Sequence, residues 1–156
     1  MSGPLLFLDV NVPMYTAGID HPYRAACAWV MDEVAEGRLA VAINTEIVQE
    51  ILHRLGATRR WERGARMARN VMDLASAVYP VLRNDVRRAI ELFELYGPRG
   101  VRARDVVHAA IMLNNGLTHI LSTDEHFDVI EGITRVKIGT LEETRSDLQR
   151  LADAAH

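Results

Sequence analysis

Leu5-Leu6-Phe7-Leu8-Asp9-Val10-Asn11 is the stretch on which the reading of this chain turns. Four consecutive apolar residues do not alternate as a half-solvated strand would. They read as a strand buried on both faces, the pattern of a parallel sheet. The run ends on Asp9, and an ionised carboxylate placed directly after buried apolar residues is costly to shelter without a partner. The same seven residues therefore point to a fold class and to a candidate site.

Working outward, short apolar runs at Leu39–Ile43, Tyr79–Leu82, His119–Ser122 and Thr134–Ile138 predict four more strands. Between them apolar residues recur at helical spacing. The expected helices run from Val12 to Ala17 with Gly18 as stop, from Pro22 to Glu36 closed by Gly37, and from Thr45 through Leu55 with Asn44 or Thr45 as cap. Three more are expected at Trp61 to Ala77, from a cap at Asn84 through Leu95, and from Ala103 to Asn115 closed by Gly116. Gly97-Pro98-Arg99-Gly100 reads as loop, and Asp124 to Phe127 as a helical turn. Short strands separated by helices predict the α/β class: a three-layer α/β/α sandwich with a short, mainly parallel central sheet. One domain is expected over residues 1–138. The polar tail 139–156 carries Leu141, Leu148 and Leu151 at helical spacing; packing on the domain, holding a partner and fraying are all open to it.

Composition narrows the function classes. The chain has 156 residues, 49% hydrophobic and 25% charged, which suits one globular domain with a real core. A net charge of −3 excludes a molecule that attracts nucleic acid by overall charge, so any grip on phosphate is local. Of 18 basic residues only Lys137 is lysine, and arginine offers phosphate a planar, bidentate match; arginine codon bias explains the count equally well. One cysteine, Cys27, forms neither an internal disulfide nor a thiolate metal cage. Leu5 to Leu8 is too short for a signal peptide, and no apolar run reaches the roughly 18 residues of a membrane span. The expected location is cytoplasmic, with no membrane contact.

In open α/β sheets ligands bind beyond the carboxyl ends of the strands. Asp9 ends the first strand, and Asp124 follows the fourth after Leu121-Ser122-Thr123. Asp105 opens a helix, and Glu50 lies in the second turn of another. Each has a structural explanation alone: Asp105 stabilises a helix N-terminus, Glu50 is a solvated helix residue, Asp124 caps a turn. Together, four carboxylates aimed at one edge repel one another, and a cation between them relieves that. Oxygen ligands that leave room for water and phosphate suit Mg²⁺ or Mn²⁺. Zinc is disfavoured, because the six histidines show no HxxxH or HExxH spacing; His108 and His126 read as core or supporting residues.

These segments resemble the four motifs of PIN-domain ribonucleases. The opening stretch with Asp9 and Asn11 is similar to the first, TEIVQEIL (Thr45–Leu52) with Glu50 to the second, RDVVHAA (Arg104–Ala110) with Asp105 to the third, and LSTDEHFD (Leu121–Asp128) with Asp124 to the fourth. No single motif is very specific; their order and spacing over residues 5 to 138 are. The size resembles VapC-type toxins of toxin–antitoxin pairs. The resemblance implies a PIN-like fold and a Mg²⁺- or Mn²⁺-dependent endoribonuclease that hydrolyses RNA with a metal-activated water. It also implies a homodimer silenced by a cognate antitoxin. Asp9 and Asp105 would bind the metal most directly, with Glu50 and Asp124 completing the catalytic pocket. Asn11, Thr123 and Asp128 would support the ligands. The chain departs from many relatives in carrying His126 two places after Asp124, where they have an acid. Glu125 or Asp128 would have to substitute, and Glu46 is a nearby reserve for Glu50.

Arg54, Arg59, Arg60, Arg63, Arg66 and Arg69 with Trp61 are expected in one helical hairpin, either as an RNA grip or as a solvated face. The competing class within the family is a degenerate PIN module that binds RNA or protein without cutting. Outside it, a phosphoacceptor domain needs an acceptor aspartate closing its central strand, whereas Tyr79–Leu82 runs into Arg83. A haloacid-dehalogenase-type phosphatase needs a second aspartate where Asn11 stands.

Overall fold

The computed structural model describes residues 3–17 and 20–155. Gly18, the expected stop of the first helix, lies outside the described residues. In chain order the elements are β1 (Leu6–Leu8), α1 (Asn11–Thr16), α2 (Arg24–Ala35), β2 (Val41–Asn44), α3 (Thr45–Ala57), α4 (Trp61–Leu74) and β3 (Ala77–Tyr79). They continue with α5 (Arg83–Tyr96), α6 (Ala103–Asn114), β4 (His119–Ser122), β5 (Thr134–Lys137) and α7 (Leu141–Ala154). Short 3-10 turns occupy Gly97–Arg99 and Glu125–Val129.

The five strands form one sheet in the order β3-β2-β1-β4-β5, every pairing parallel. β1 lies at its centre, which is why Leu6, Phe7 and Leu8 are all apolar: both faces are covered and all three are buried. From β1 the chain winds one way to β2 and β3, then crosses to lay β4 and β5 on the other side. Connections after β1 and β4 therefore diverge, and a crevice opens beyond their carboxyl ends. The core beneath it is built from the strands with Ile47 and Ile51 of α3 and Ala109, Ala110, Ile111 and Met112 of α6.

Several expectations shift in detail. The third strand is Ala77–Tyr79 rather than Tyr79–Leu82, paired to β2 through Ala42–Ala77 and Ile43–Val78. Pro80 has no N–H to extend the ladder, so the strand ends before it. Asn84 does not cap α5; Asp85 does so from inside the first turn, its Oδ2 accepting the backbone N–H of Leu82 at 2.8 Å. The segment 97–99 winds into a 3-10 turn rather than open loop. Asn44 caps α3, its Oδ1 accepting the Ile47 N–H at 2.9 Å. The tail forms α7, opened by a reciprocal cap between Thr140 and Glu143 and held on the domain by buried Thr144 and Leu148.

Candidate active site

The site begins where β1 ends. The β1–β4 register sets Leu8 beside Leu121, so the next residues, Asp9 and Ser122, fall side by side. Ser122 Oγ donates to Asp9 Oδ2 at 2.6 Å, and the Val10 N–H donates to Asp9 Oδ1 at 2.8 Å. Burial pushes the Asp9 carboxyl up; the Ser122 bond opposes it, the nearby Glu50 charge adds to it, and the net direction is upward. Ser122 Oγ also accepts the Asp124 N–H at 3.0 Å, so one hydroxyl ties both strand-end acids together.

Glu50 reaches the same place from α3. His108 Nε2 on α6 contacts its Oε1 at 2.8 Å, while Arg104 and Arg54 approach Oε2 at 3.6 and 3.9 Å. Burial would raise the Glu50 carboxyl, but the His108 hydrogen bond and the two guanidiniums together outweigh it and hold it low. Asp105 stands in the first turn of α6, its Oδ2 accepting the Arg102 backbone N–H at 3.3 Å. Burial first, then the charge of Asp124, pushes its carboxyl up to about 6. Asp124 caps the following 3-10 turn through the His126 N–H at 2.9 Å.

The four carboxylates singled out from the sequence thus line one cavity of about 230 Å³, in company with Asn11, Arg54, Arg102 and Arg104. Another buried acid, Asp85, shows the contrast: its oxygens are taken by the Leu82 N–H and the Asn114 amide, which account for it structurally.

The supporting residues sort differently. Asn11 lines the cavity and accepts from Arg54 Nη1 at 3.1 Å. Thr123, Glu125 and Asp128 line a neighbouring groove instead. Arg135 grips both Asp128 oxygens at 2.9 and 3.0 Å, which fixes that carboxylate away from the cavity. Among the described residues, the set of donor atoms lying within 4.8 Å of one another is Asp105, Asp124 and His126. So at the place lacking the expected acid the histidine itself stands by the acids, rather than Glu125 or Asp128. Room for it comes from Gly100, whose φ of +96° suits glycine and where a Cβ would sit 3.3 Å from His126 Nε2. Ser122 was not singled out from the sequence, although a polar residue closing a strand beside one that ends on aspartate was a usable signal. Arg102 carried no such signal, and Arg104 entered only as the first residue of the third motif. Of the six arginines, Arg54 opens on the acid cavity, while Arg63 and Arg66 line a groove between α1, α2 and α4, where Arg63 donates to the Ala17 carbonyl.

A pH prediction follows from Asp105. Its folded value of about 6 exceeds the ordinary 3.8, so the folded state binds the proton more tightly than the unfolded chain. Its contribution is therefore full below about pH 4 and lost as pH rises toward 6. Without metal, the wild-type midpoint minus that of Asp105→Asn should fall across this window and level off above it. Calorimetry of the two proteins in chelator measures the difference; a flat one would rule out the assigned strain.

A family model for the PIN domain matches residues 6–133. The chain belongs to the PIN domain family. Among curated relatives, this PIN domain is 30% identical to ribonuclease VapC13 of Mycobacterium tuberculosis over 132 residues, 85% of this chain and 99% of the relative. It is 29% identical to ribonuclease VapC7 of the same species over 133 residues, 85% of this chain and 90% of the relative. The fold matches VapBC2 from Rickettsia felis, solved on a DNA fragment from its promoter, with TM-score 0.66 at 11% identity, covering 85% and 97% of the two chains. It also matches M. tuberculosis VapC20, described as a sarcin-ricin loop cleaving toxin, with TM-score 0.63 at 14% identity and coverage of 77% and 90%. No helix among the described residues of this PIN domain is long and apolar enough to cross a membrane.

Proposed function

We propose that this PIN domain is a divalent-metal-dependent endoribonuclease, the toxin of a VapBC-type pair, with Asp9, Glu50, Asp105 and Asp124 as its catalytic centre. The observation carrying the proposal is the meeting of four carboxylates from four separate elements in one small cavity. The relatives named as ribonucleases supply the reaction class.

The residues fit a Mg²⁺ or Mn²⁺ ion. Burial raises Asp9 and Asp105, and mutual repulsion adds to both, which a bound cation would reverse. Asp9 and Asp105 would hold it most directly, with Glu50 and Asp124 completing the set. A nitrogen donor at His126 would favour Mn²⁺ over Mg²⁺. Bound there, the ion supplies Lewis acidity to a phosphate oxygen and to water. The chain's own groups do the rest. Ser122 holds Asp9 and Asp124 in register, and Asn11 steers Arg54. Arg54, Arg102 and Arg104 place guanidiniums at the rim, where an RNA phosphodiester would meet them in bidentate fashion.

An antitoxin partner and a homodimer belong to the same proposal, as does a cytoplasmic location. Val86, Ile90 and Phe93 stand exposed on α5, and Leu52 and Trp61 on α3 and α4, apolar area suited to protein partners. The decisive test is cleavage of a labelled RNA against Mg²⁺ and Mn²⁺ concentration. Chelator should abolish cutting, and either ion should restore it. A protein that binds Mn²⁺ yet never cuts is a binding module, the competing reading.

A further inference from the structure

We propose that Asn44 and His108 form a positioning pair that fixes the Glu50 carboxylate and leaves it one free oxygen for the acid cavity. The inference rests on the metal-site reading above. Its argument is a chain of hydrogen bonds whose direction is forced from one end. Asn44 closes β2 and is fully buried. Its Oδ1 must face the α3 backbone, because it accepts the Ile47 N–H at 2.9 Å as the helix cap. The amide nitrogen is thereby turned the other way, and it lies 2.9 Å from His108 Nδ1. An amide NH₂ only donates, so Nδ1 is the acceptor and the ring hydrogen sits on Nε2. Nε2 then donates to Glu50 Oε1 at 2.8 Å. The sequence of bonds starts at the Ile47 backbone of α3 and returns to α3 at Glu50, less than one turn further on, with α6 as the bridge.

Nothing in this loop is free to rearrange. Asn44 is 0% exposed, His108 1% and Glu50 3%, so water does not compete for the bonds. Phe7 packs its ring 5.4 Å from the imidazole and limits its rotation. With Oε1 committed to His108, Glu50 offers only Oε2 to the cavity, where Arg104 and Arg54 already approach. It therefore meets a cation or a water through a single oxygen, in one orientation. A histidine buried only to fill space would have no such consequence for metal affinity.

The test uses the full chain and two readouts, with Mn²⁺ as probe. Ring ¹⁵N NMR of histidine-labelled protein should show His108 with hydrogen on Nε2 and a bare Nδ1. Asn44→Asp keeps the cap and the volume but turns the donor into an acceptor, so Nδ1 must take a hydrogen; the ring either gives up the Nε2 hydrogen that holds Glu50 or becomes an imidazolium whose charge competes with the cation for Glu50, and the ¹⁵N pattern tells the two apart. Mn²⁺ affinity, by calorimetry or electron paramagnetic resonance, should fall roughly 10- to 100-fold in Asn44→Asp and His108→Leu. His108→Gln, whose amide can again donate to Glu50, should recover part of it. Wild type binding Mn²⁺ with both variants equal to it overturns this inference alone, as does a hydrogen on Nδ1 in the wild type. A wild type that binds no Mn²⁺ overturns the metal reading, and this inference with it. Circular dichroism and the thermal midpoint of each variant identify any that fails to fold; Asn44→Asp, with its cap intact, should keep its fold and carry the comparison.

Discussion

Asp9→Asn should lower the RNA cleavage rate by about three orders of magnitude or more and leave the metal-free thermal midpoint equal to or above wild type. The two halves have separate causes. On the proposed reading cleavage should fall because a metal's Lewis-acid contribution of several kcal/mol would depend on a charged ligand at the end of β1, and about 4 kcal/mol corresponds to a thousandfold. Stability does not fall because the substitution removes a charge that burial and Glu50 already disfavour. The replacement amide is also easily satisfied. Its oxygen still accepts the Val10 N–H, and its nitrogen donates to Ser122 Oγ, since a hydroxyl accepts as readily as it donates. Rate assays at saturating Mn²⁺ and calorimetry in chelator measure both. A variant cutting at the wild-type rate would remove Asp9 from the mechanism.

Phe7→Ala should cost about 3–5 kcal/mol of unfolding free energy, the largest stability effect expected of any single truncation near the site. Phe7 is 0% exposed in the central strand, flanked by β2 and β4, and parallel strands pinned on both sides collapse poorly around a void. For a domain of this size, that loss lowers the midpoint by roughly 6–20 °C. It also takes about a fifth or more of an ordinary domain's stability of about 5–15 kcal/mol. Side chains alternate along a strand, so Phe7 shares its face with Asp9, and its ring packs on His108. The folded fraction of the variant should therefore bind Mn²⁺ less tightly as well. Urea titration reads the first effect; a loss under 1 kcal/mol would mean that the sheet centre repacks.

The fold was legible because its strands are short, continuous apolar runs and its helices carry apolar residues at helical spacing, with Asn44, Gly37 and Gly116 marking helix ends. The strand that slipped, Tyr79–Leu82, did so because edge strands are half covered and their apolar pattern is diluted; Pro80, not hydropathy, sets the end. The cap misassigned to Asn84 belongs to a reciprocal contact from Asp85, which no residue type announces by itself. The acids were legible for a different reason: Asp9, Asp105 and Asp124 stand at element boundaries, where the parallel topology sends side chains to one edge, while Glu50, inside α3, was legible only through the motif it resembles.

Sequence alone determined the layered α/β class and the order of elements, since these follow from local periodicity and from where each run stops; it picked out the four candidate acids through the order and spacing of the motifs they resemble. Tertiary structure decided which other side chains serve those acids. Ser122 rather than Thr123 ties Asp9 to Asp124, His126 rather than Asp128 stands beside Asp105, and His108 reaches Glu50 from 58 residues away. The physical reason is that strand register and helix packing bring distant residues within hydrogen-bond range, and hydrogen bonds act over about 3 Å whatever the separation along the chain.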